Sequence, residues 1–412
     1  MNEWLTGLKE SSFVFGLSRI KKLLKALGNP EKDFASVHIT GSNGKGSTAT
    51  FIFSVLKEAG YKVGLYTSPH LVDFRERIKI NNKMIPQKKL KTIIEKVKKA
   101  SRGLDITYFE AATAICFLYF AEENVDLAII EVGLGGRLDA TNTIKPLLSI
   151  ITNVSLEHTN YLGGTIEKIA REKAGIIKKG IPVVMGRMDK KAQSVIEECA
   201  KEKGAQIFIE GRDFMAKGIP DCFEVKVFDR AYKGLSLKMI GDHQVLNALL
   251  AIASLEILKK DFPYSIFKLK KGLRNAYIKG RMDVISKNPL IILDGAHNPG
   301  GAKILRGALN FYFPPYKPIF IIGILKDKDK EGFFLNLGIS GHKIIVTEPK
   351  IDRLYPKELL FEMVKKYTDD AIVMDDIKMA IEYAKGIVKN DGLICICGSF
   401  YLVGEAMKEF RI

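Results

Sequence analysis

The sequence predicts an α/β protein: a P-loop-containing first domain built on a mostly parallel sheet, then a smaller Rossmann-like α/β domain. Three observations predict it. Short β-branched runs alternate with longer amphipathic segments, the pattern of parallel strands joined by helical crossovers. The run HITGSNGKGST at 38–48 joins an apolar strand end to a Gly-rich turn, a lysine and a helix start. A second α/β rhythm begins near residue 284, and a chain of 412 residues is long enough to divide into two cores. The expected domains are 1–282 and 283–412, meeting beside Gly280-Arg281.

The elements follow in order. SVHIT (36–40), KVGLYT (62–67), DLAIIEV (126–132), LLSIITNV (147–154) and IPVVMG (181–186) read as strands. TATFIFSVLKEAG (48–60) reads as the helix after the Gly loop. FEAATAICFLYFAEENV (109–125) is apolar nearly all round, as a buried helix is. Residues 204–240 carry scattered short strands, and GDHQVLNALLAIASLEIL (241–258) restores a strong helix. In the second domain, PLIILDGAHNPGG, PIFIIGILKDK, KIIVTEP, AIVMDD and LICICGSFYLVGEAMKEF supply a small sheet with its own helices.

Composition narrows the class. The chain is 47% hydrophobic and 27% charged, as soluble globular proteins are. No apolar run approaches a membrane span, and MNEWLTGLKE lacks the apolar core of a signal peptide. Five cysteines without a framework spacing point to a reducing, cytoplasmic setting. Cys395 and Cys397, two apart in a strand, would share one face as core residues. The net charge of +17 suits nucleic acid, acidic membranes or polyanionic small substrates. The basic residues are spread along helices, as in KKLKTIIEKVKKA (88–100), with no basic run interleaved with aromatics. Neither a nucleic-acid nor a membrane partner is expected.

The Gly loop carries the first chemistry. Its backbone N–H groups and the following helix N-terminus converge on an anion, and Lys45 adds a full charge. The usual order is G-x-x-x-x-G-K-[ST]. Here Ile39 replaces the first glycine, Gly46 stands where the hydroxyl residue is usual, and the hydroxyl moves to Ser47. Ligands of open parallel sheets bind beyond the carboxyl ends of the strands. The other strands end at Ser68, at Glu131 and at Asn153, with His158 shortly after. Ser68 before Pro69 reads equally as a turn residue. Glu131, ending an apolar strand, needs a partner or water. His158 alone reads as a loop histidine, and histidine is an unusual ligand for Mg²⁺. Lys173, in the charge-rich TIEKIAREKAGIIKKG, reads as a solvated lysine. In the second domain, Asp294, His297 and Asn298 crowd one strand-to-helix turn, more polar groups than a helix cap needs.

Taken jointly, GSNGKGS, TSPHL followed by FRERI, FEAATAICFLYF, EVGLGGRLDATN, LEHTNYLG, EKAGI, GDHQVLNA, GR at 280–281, DGAHNP and GSFYLVGE resemble the folylpolyglutamate synthase family of the Mur ligase superfamily. The resemblance runs from about residue 36 to residue 300, with GSFYLVGE near the end. Gly46 after the lysine is typical of this folate branch. The resemblance implies ATP-dependent addition of L-glutamate to the γ-carboxylate of folate through an acyl phosphate, and leaves open glutamate addition to dihydropteroate as well. It implies that Gly41, Asn43, Gly44, Lys45, Gly46, Ser47 and Thr48 hold ATP phosphates, with Ser47 near the metal. Ser68 and Glu131 would ligate Mg²⁺, and His158 would join Glu131 at a second Mg²⁺. Lys173 matches the lysine that carries a carbamate in such ligases. Asn247 would contact adenine, and Arg281 and Asp294 would reach ATP. His297 would serve phosphate or glutamate. Phe74, Arg75 and Arg77 would face the folate, and Ser399 the incoming glutamate. ATP would lie between the two domains, with closure excluding water from the acyl phosphate. A monomer acting on small molecules is expected. Two other readings remain: a Mur-type ligase for a non-folate acceptor, and a nucleotide-dependent nucleic-acid binder.

Overall fold

The computed structural model describes residues 3–8, 16–351, 353–388 and 392–411. The chain forms two compact units. Unit 1 comprises Met1–Pro69, Phe74–Lys238 and Gln244–Ala276, and unit 2 comprises His70–Asp73, Met239–His243 and Tyr277–Ile412.

Unit 1 holds β1 (Ala35–Thr40), β2 (Val63–Tyr66), β3 (Ile78–Ile80), β4 (Lys83–Met84), β5 (Leu127–Glu131), β6 (Leu148–Ile151), β7 (Val183–Met185) and β8 (Ile207–Ile209) in one sheet of order β4-β3-β2-β5-β1-β6-β7-β8. From β2 to β8 every neighbouring pair is parallel, and only β3 and β4 are antiparallel additions. The largely parallel sheet is thus borne out, as are the five strands read from the sequence. β1, β2, β5 and β6 are fully buried but for Ala35, as parallel strands covered on both faces must be. β1 lies between β5 and β6, so the chain leaves it in one direction and later returns past it in the other. That reversal opens a crevice at its carboxyl end.

The helix Tyr108–Glu122 is buried on almost every side, as its uniform apolarity requires. Its start is held by a reciprocal cap: Glu110 N donates to Thr107 Oγ1 at 3.2 Å, and Thr107 N donates to Glu110 Oε2 at 2.8 Å. The helix after the Gly loop runs Lys45–Ala59, three residues earlier than its apolar pattern shows. Gly46, a poor helix former, hides that first turn from a propensity reading. The short strands expected in 204–240 are β8 and a three-stranded antiparallel sheet of β9 (Phe214–Ile219), β10 (Cys222–Val227) and β11 (Arg230–Leu235). Glu256, on the helix Asp242–Leu258, fastens that sheet. It accepts from Arg230 Nη1 at 2.7 Å and Tyr232 Oη at 2.5 Å, with Tyr264 and Lys259 completing its shell.

Unit 2 holds β12 (Asp283–Lys287), β13 (Leu290–Leu293), β14 (Ile319–Ile322), β15 (Ile344–Val346), β16 (Ala371–Val373) and β17 (Leu393–Cys397), in the order β12-β13-β17-β14-β15-β16. β12 is antiparallel to β13 and the other pairs are parallel. Cys395 and Cys397 share one face and are buried in one apolar cluster with Ile292, Phe320 and Val346. All five cysteines are free thiols. Among the described residues no helix is long and apolar enough to cross a membrane.

Candidate active site

Strand ends position the first polar groups of unit 1's crevice, and helices bring the rest. β1 ends at Thr40, and the loop Gly41–Gly44 turns into the helix beginning at Lys45. Gly44 has φ +83°, and a Cβ there would stand 2.3 Å from Asn247 Oδ1. Gly41 has φ +149°, and its Cβ would stand 1.9 Å from Thr152 Oγ1. Both positions therefore need glycine for conformation and for space.

The loop is braced by the neighbouring strand end of β6. Thr152 Oγ1 donates to Asn43 O at 2.6 Å and Asn153 Nδ2 donates to the same carbonyl at 3.0 Å. Asn43 N donates to Asn153 Oδ1 at 2.9 Å, and Ser42 N to Asn153 O at 3.0 Å. Ser155 N donates to Ser42 Oγ at 2.9 Å. Lys45 curls back over the loop and donates to Gly41 O at 2.7 Å and Ser42 O at 3.1 Å. Ser47 and Thr48 are buried in the first helical turn, and among the described residues Thr48 Oγ1 has no hydrogen-bond partner.

Glu131 ends β5, the strand beside β1, and is 5% exposed. Ser68 N donates to its Oε2 at 3.1 Å, which supplies the partner a buried carboxylate requires. The donor is the backbone amide of Ser68, just beyond β2, a contact that does not depend on the residue being serine. A Cβ at Gly46 would stand 3.5 Å from Glu131 Oε2, so the first helical turn passes directly over this carboxylate.

Lys173 departs from its reading as a solvated lysine. It is 1% exposed, and its Nζ lies 2.9 Å from Glu157 Oε1. The helix Ile166–Ala174 is amphipathic, and Lys173 falls on the face with Ile169 and Ala170 that packs inward. Burial pushes the Lys173 ammonium down, Glu157 opposes that, and Lys45 adds to it. Burial raises the Glu157 carboxyl, but Lys173 and Lys45 outweigh it and hold the group far below the usual carboxylate range. Lys45, Glu157 and Lys173 thus form one charge cluster beside the Gly loop. His158, the next residue, has φ +48°, a left-handed conformation uncommon outside glycine, and caps the short helix Thr159–Leu162. Sequence reasoning missed Glu157 and Thr152, and marked Asn153 only as a strand end without its bracing role. Glu157 was visible as an acid adjoining His158, but its partner lies sixteen residues on and is reached only through the fold.

Asn247 is buried, donates through Nδ2 to Gln244 Oε1 at 3.1 Å, and sets its Oδ1 against Gly44. Phe74, Arg75 and Arg77 lie in one short turn, Phe74–Arg77. Phe74 and Arg77 are buried against Tyr108, the former edge-on at 6.2 Å and the latter 5.5 Å from the ring centre. Arg75 is the more exposed of the two arginines.

In unit 2, Asp294 follows β13 and is buried. Its carboxylate accepts from Met282 N and from Ala296 N, each at 2.8 Å. Burial raises its carboxyl, which Arg281 and the two amides counteract. The cap of the next helix, Pro299–Tyr312, is Asn298, which accepts from Gly301 N at 2.7 Å. Asp294 is thus no helix cap. Phe400 gathers the remaining groups: the Arg281 guanidinium lies 4.5 Å from its ring centre and the His297 ring 5.5 Å. His297 Nδ1 lies 2.7 Å from Gly295 O. Ser399 is buried and caps the helix Phe400–Glu409, accepting from Leu402 N at 3.0 Å.

Comparison with known proteins agrees with this arrangement. Residues 39–255 match the Mur ligase middle domain family, and residues 280–400 match the Mur ligase, glutamate ligase domain family. The chain is 36% identical to the Bacillus subtilis dihydrofolate synthase/folylpolyglutamate synthase, across 99% of this chain and 98% of that one. The crystal structure of folylpolyglutamate synthase from Thermotoga maritima is 38% identical with a TM-score of 0.85, covering 99% of this chain and 94% of that one. E. coli FolC in complex with DHPP and ADP is 30% identical with a TM-score of 0.91, covering 99% and 96%. A glycine loop braced by Thr152 and Asn153, a buried acid and lysine beside it, and this likeness along the whole chain lead to one conclusion: the chain belongs to the folylpolyglutamate synthase/dihydrofolate synthase family of ATP-dependent Mur ligases.

Proposed function

We propose that this chain uses ATP to join L-glutamate to the γ-carboxylate of a reduced folate. The observation that carries the reading is the glycine-dependent loop with Lys45, Glu157 and Lys173 clustered beside it. The folate carboxylate oxygen attacks the γ-phosphorus of ATP. A C–O–P bond forms, the bond to the β-phosphate oxygen breaks, and ADP leaves. The glutamate amine then attacks the acyl carbon, phosphate departs, and the amine's proton is lost as the amide forms. The protein's share of this work is positioning and charge neutralisation. Lys45 and the amides of Gly41–Ser47 are assigned to the phosphates, with Thr48 behind them. Asn247 is assigned to the nucleotide. Arg281 and Asp294 are assigned to ATP, and His297 and Ser399 to phosphate or glutamate. Arg75, with Phe74 and Arg77 shaping its turn, is assigned to the folate.

Among the described residues no three His, Cys, Asp or Glu side chains gather as a metal cluster. A metal bound by protein groups alone does not fit such a site, whereas Mg²⁺ does, because it takes one or two carboxylates and completes its shell with phosphates and water. Glu131, Ser68 and Ser47 offer hard oxygens for one ion. His158 with Glu131, and Lys173 as a carbamate, are assigned to a second. Burial pushes Lys173 toward the neutral amine that carbamylation requires, and the carbamate, beside Glu157, would need a cation to balance two negative groups. When bound, the ions supply charge neutralisation for the triphosphate.

The bifunctional Bacillus subtilis relative favours a second acceptor, dihydropteroate. ADP release measured with glutamate across a panel of tetrahydrofolates and dihydropteroate tests both. We expect glutamate-dependent turnover with tetrahydrofolate. Release only with a cell-wall precursor would overturn the folate reading, and background release with dihydropteroate alone would remove the second activity.

A further inference from the structure

The sheet of unit 2 carries a second recess at the edge opposite Asp294 and Ser399. Those residues follow the carboxyl ends of β13 and β17. The recess is lined by Pro318, just before β14, and by Leu393, which opens β17, so it lies at the amino ends of β14 and β17. Its volume is about 280 Å³.

Its polar lining is cationic. Arg306 projects from the helix Pro299–Tyr312, Lys317 from the segment before β14, and His342 from the turn before β15, and no lining residue is acidic. Arg306 Nη1 lies 3.0 Å from His342 Nε2. A guanidinium only donates, so Nε2 accepts and the ring proton sits on Nδ1, which donates to Pro318 O at 3.1 Å. The imidazole is therefore neutral, and it orients Arg306 without balancing its charge. Lys343 nearby is paired with Asp370. Among the described residues Arg306 and Lys317 have no such carboxylate within ion-pair distance. Leu309 is buried in the wall, and Phe313 and Tyr316 give the recess flat apolar sides.

We propose that this recess binds a small dianion, a phosphate monoester or a compact dicarboxylate. The anionic groups meet Arg306 and Lys317, and the carbon body lies against Phe313 and Tyr316. Two uncompensated cations match two negative charges, and a guanidinium fork suits either oxyanion. The volume stands at the lower end of small-molecule sites, which run from roughly 300 Å³ upward. A whole folate does not fit.

The histidine ring signals of the full chain provide the test, since the sequence has six histidines and His342→Gln identifies one of them. Inorganic phosphate and glutarate are the two probes. Saturable movement of the His342 signal with either supports the site. A response to phosphate alone assigns the monoester, and a response to glutarate alone the dicarboxylate. Arg306→Gln/Lys317→Gln should weaken that response at least about tenfold, with the other histidine signals in place and glutamate ligation unchanged. Lys317→Gln alone, at an exposed position, should weaken it in the same direction. No movement with either probe, or equal binding by wild type and both variants, overturns the proposal.

Discussion

Lys173 shows what a single residue's identity conceals. In sequence it is one lysine among many in a charged helix, and only the inward face of Ile166–Ala174 makes it a buried cation facing Glu157. In the unmodified, metal-free chain, removing it leaves a buried carboxylate without its counter-charge, which costs about 3–5 kcal/mol. Lys173→Ala should therefore lower both the melting temperature and the ligation rate. Lys173→Ala/Glu157→Gln should recover most of the stability, because the stranded charge is gone, and none of the activity. Added short-chain carboxylates should restore part of the Lys173→Ala turnover by standing in for a carbamate. Full ligation by Lys173→Ala without additives would refute the ligand role, and unchanged stability would refute the pairing.

At the scale of the element, the Gly loop is a device whose glycines have different jobs. Gly44 is left-handed and has Asn247 Oδ1 where a Cβ would be. Gly44→Ala should thus destabilise unit 1 by about 2 kcal/mol and loosen the loop, weakening ADP binding. Gly46 lies inside the helix, and a Cβ there would make an ordinary contact with Glu131. Gly46→Ala should keep the melting temperature or raise it, since alanine is the better helix former by about 1 kcal/mol. Its ligation rate should still fall, because the methyl stands over the Glu131 carboxylate. Calorimetric unfolding and ADP titration of the two variants separate these outcomes. Equal behaviour would mean that the loop is not built as described. The element itself was legible in HITGSNGKGST. Its brace was not, because Thr152 and Asn153 lie more than a hundred residues away and meet it only when β1 and β6 pair.

For the whole molecule, the informative group is one that the chemistry does not use. His38 sits in the middle of β1 with no exposure. Asp139 takes the Thr141 hydroxyl proton at 2.5 Å, so His38 Nε2 donates to Thr141 Oγ1 at 2.8 Å and Nδ1 is left bare. Burial, aided by Lys178, pulls this imidazole down to about 3. Its folded value lies below the unfolded one of about 6.5, so between the two the unfolded chain binds a proton that the folded chain refuses. Stability is full above the unfolded value and falls as the pH drops below it. From about pH 7 to about pH 5 the loss from His38 is about 2 kcal/mol. His243, lowered to about 4, acts in the same direction. Urea midpoints for wild type and His38→Gln should therefore converge toward acid. Parallel pH profiles would overturn the assignment.

The sequence by itself determined the alternation of strands and helices, the anion-binding loop and the polar residue at each strand end. These are local: they rest on hydrophobic period, on glycine and on where an apolar run stops. The family likeness was legible for the same reason, being carried by short contiguous motifs. Only the tertiary structure decided that Ser68 serves Glu131, that Lys173 is buried on Glu157, that Asn298 and not Asp294 caps its helix, and that Arg306 and Lys317 share a recess. Apart from the local Asn298 cap, each of these is a pairing across the chain or a choice of helix face. A charged side chain's state depends on its dielectric surroundings and nearest partner, and neither exists until the strands are in register.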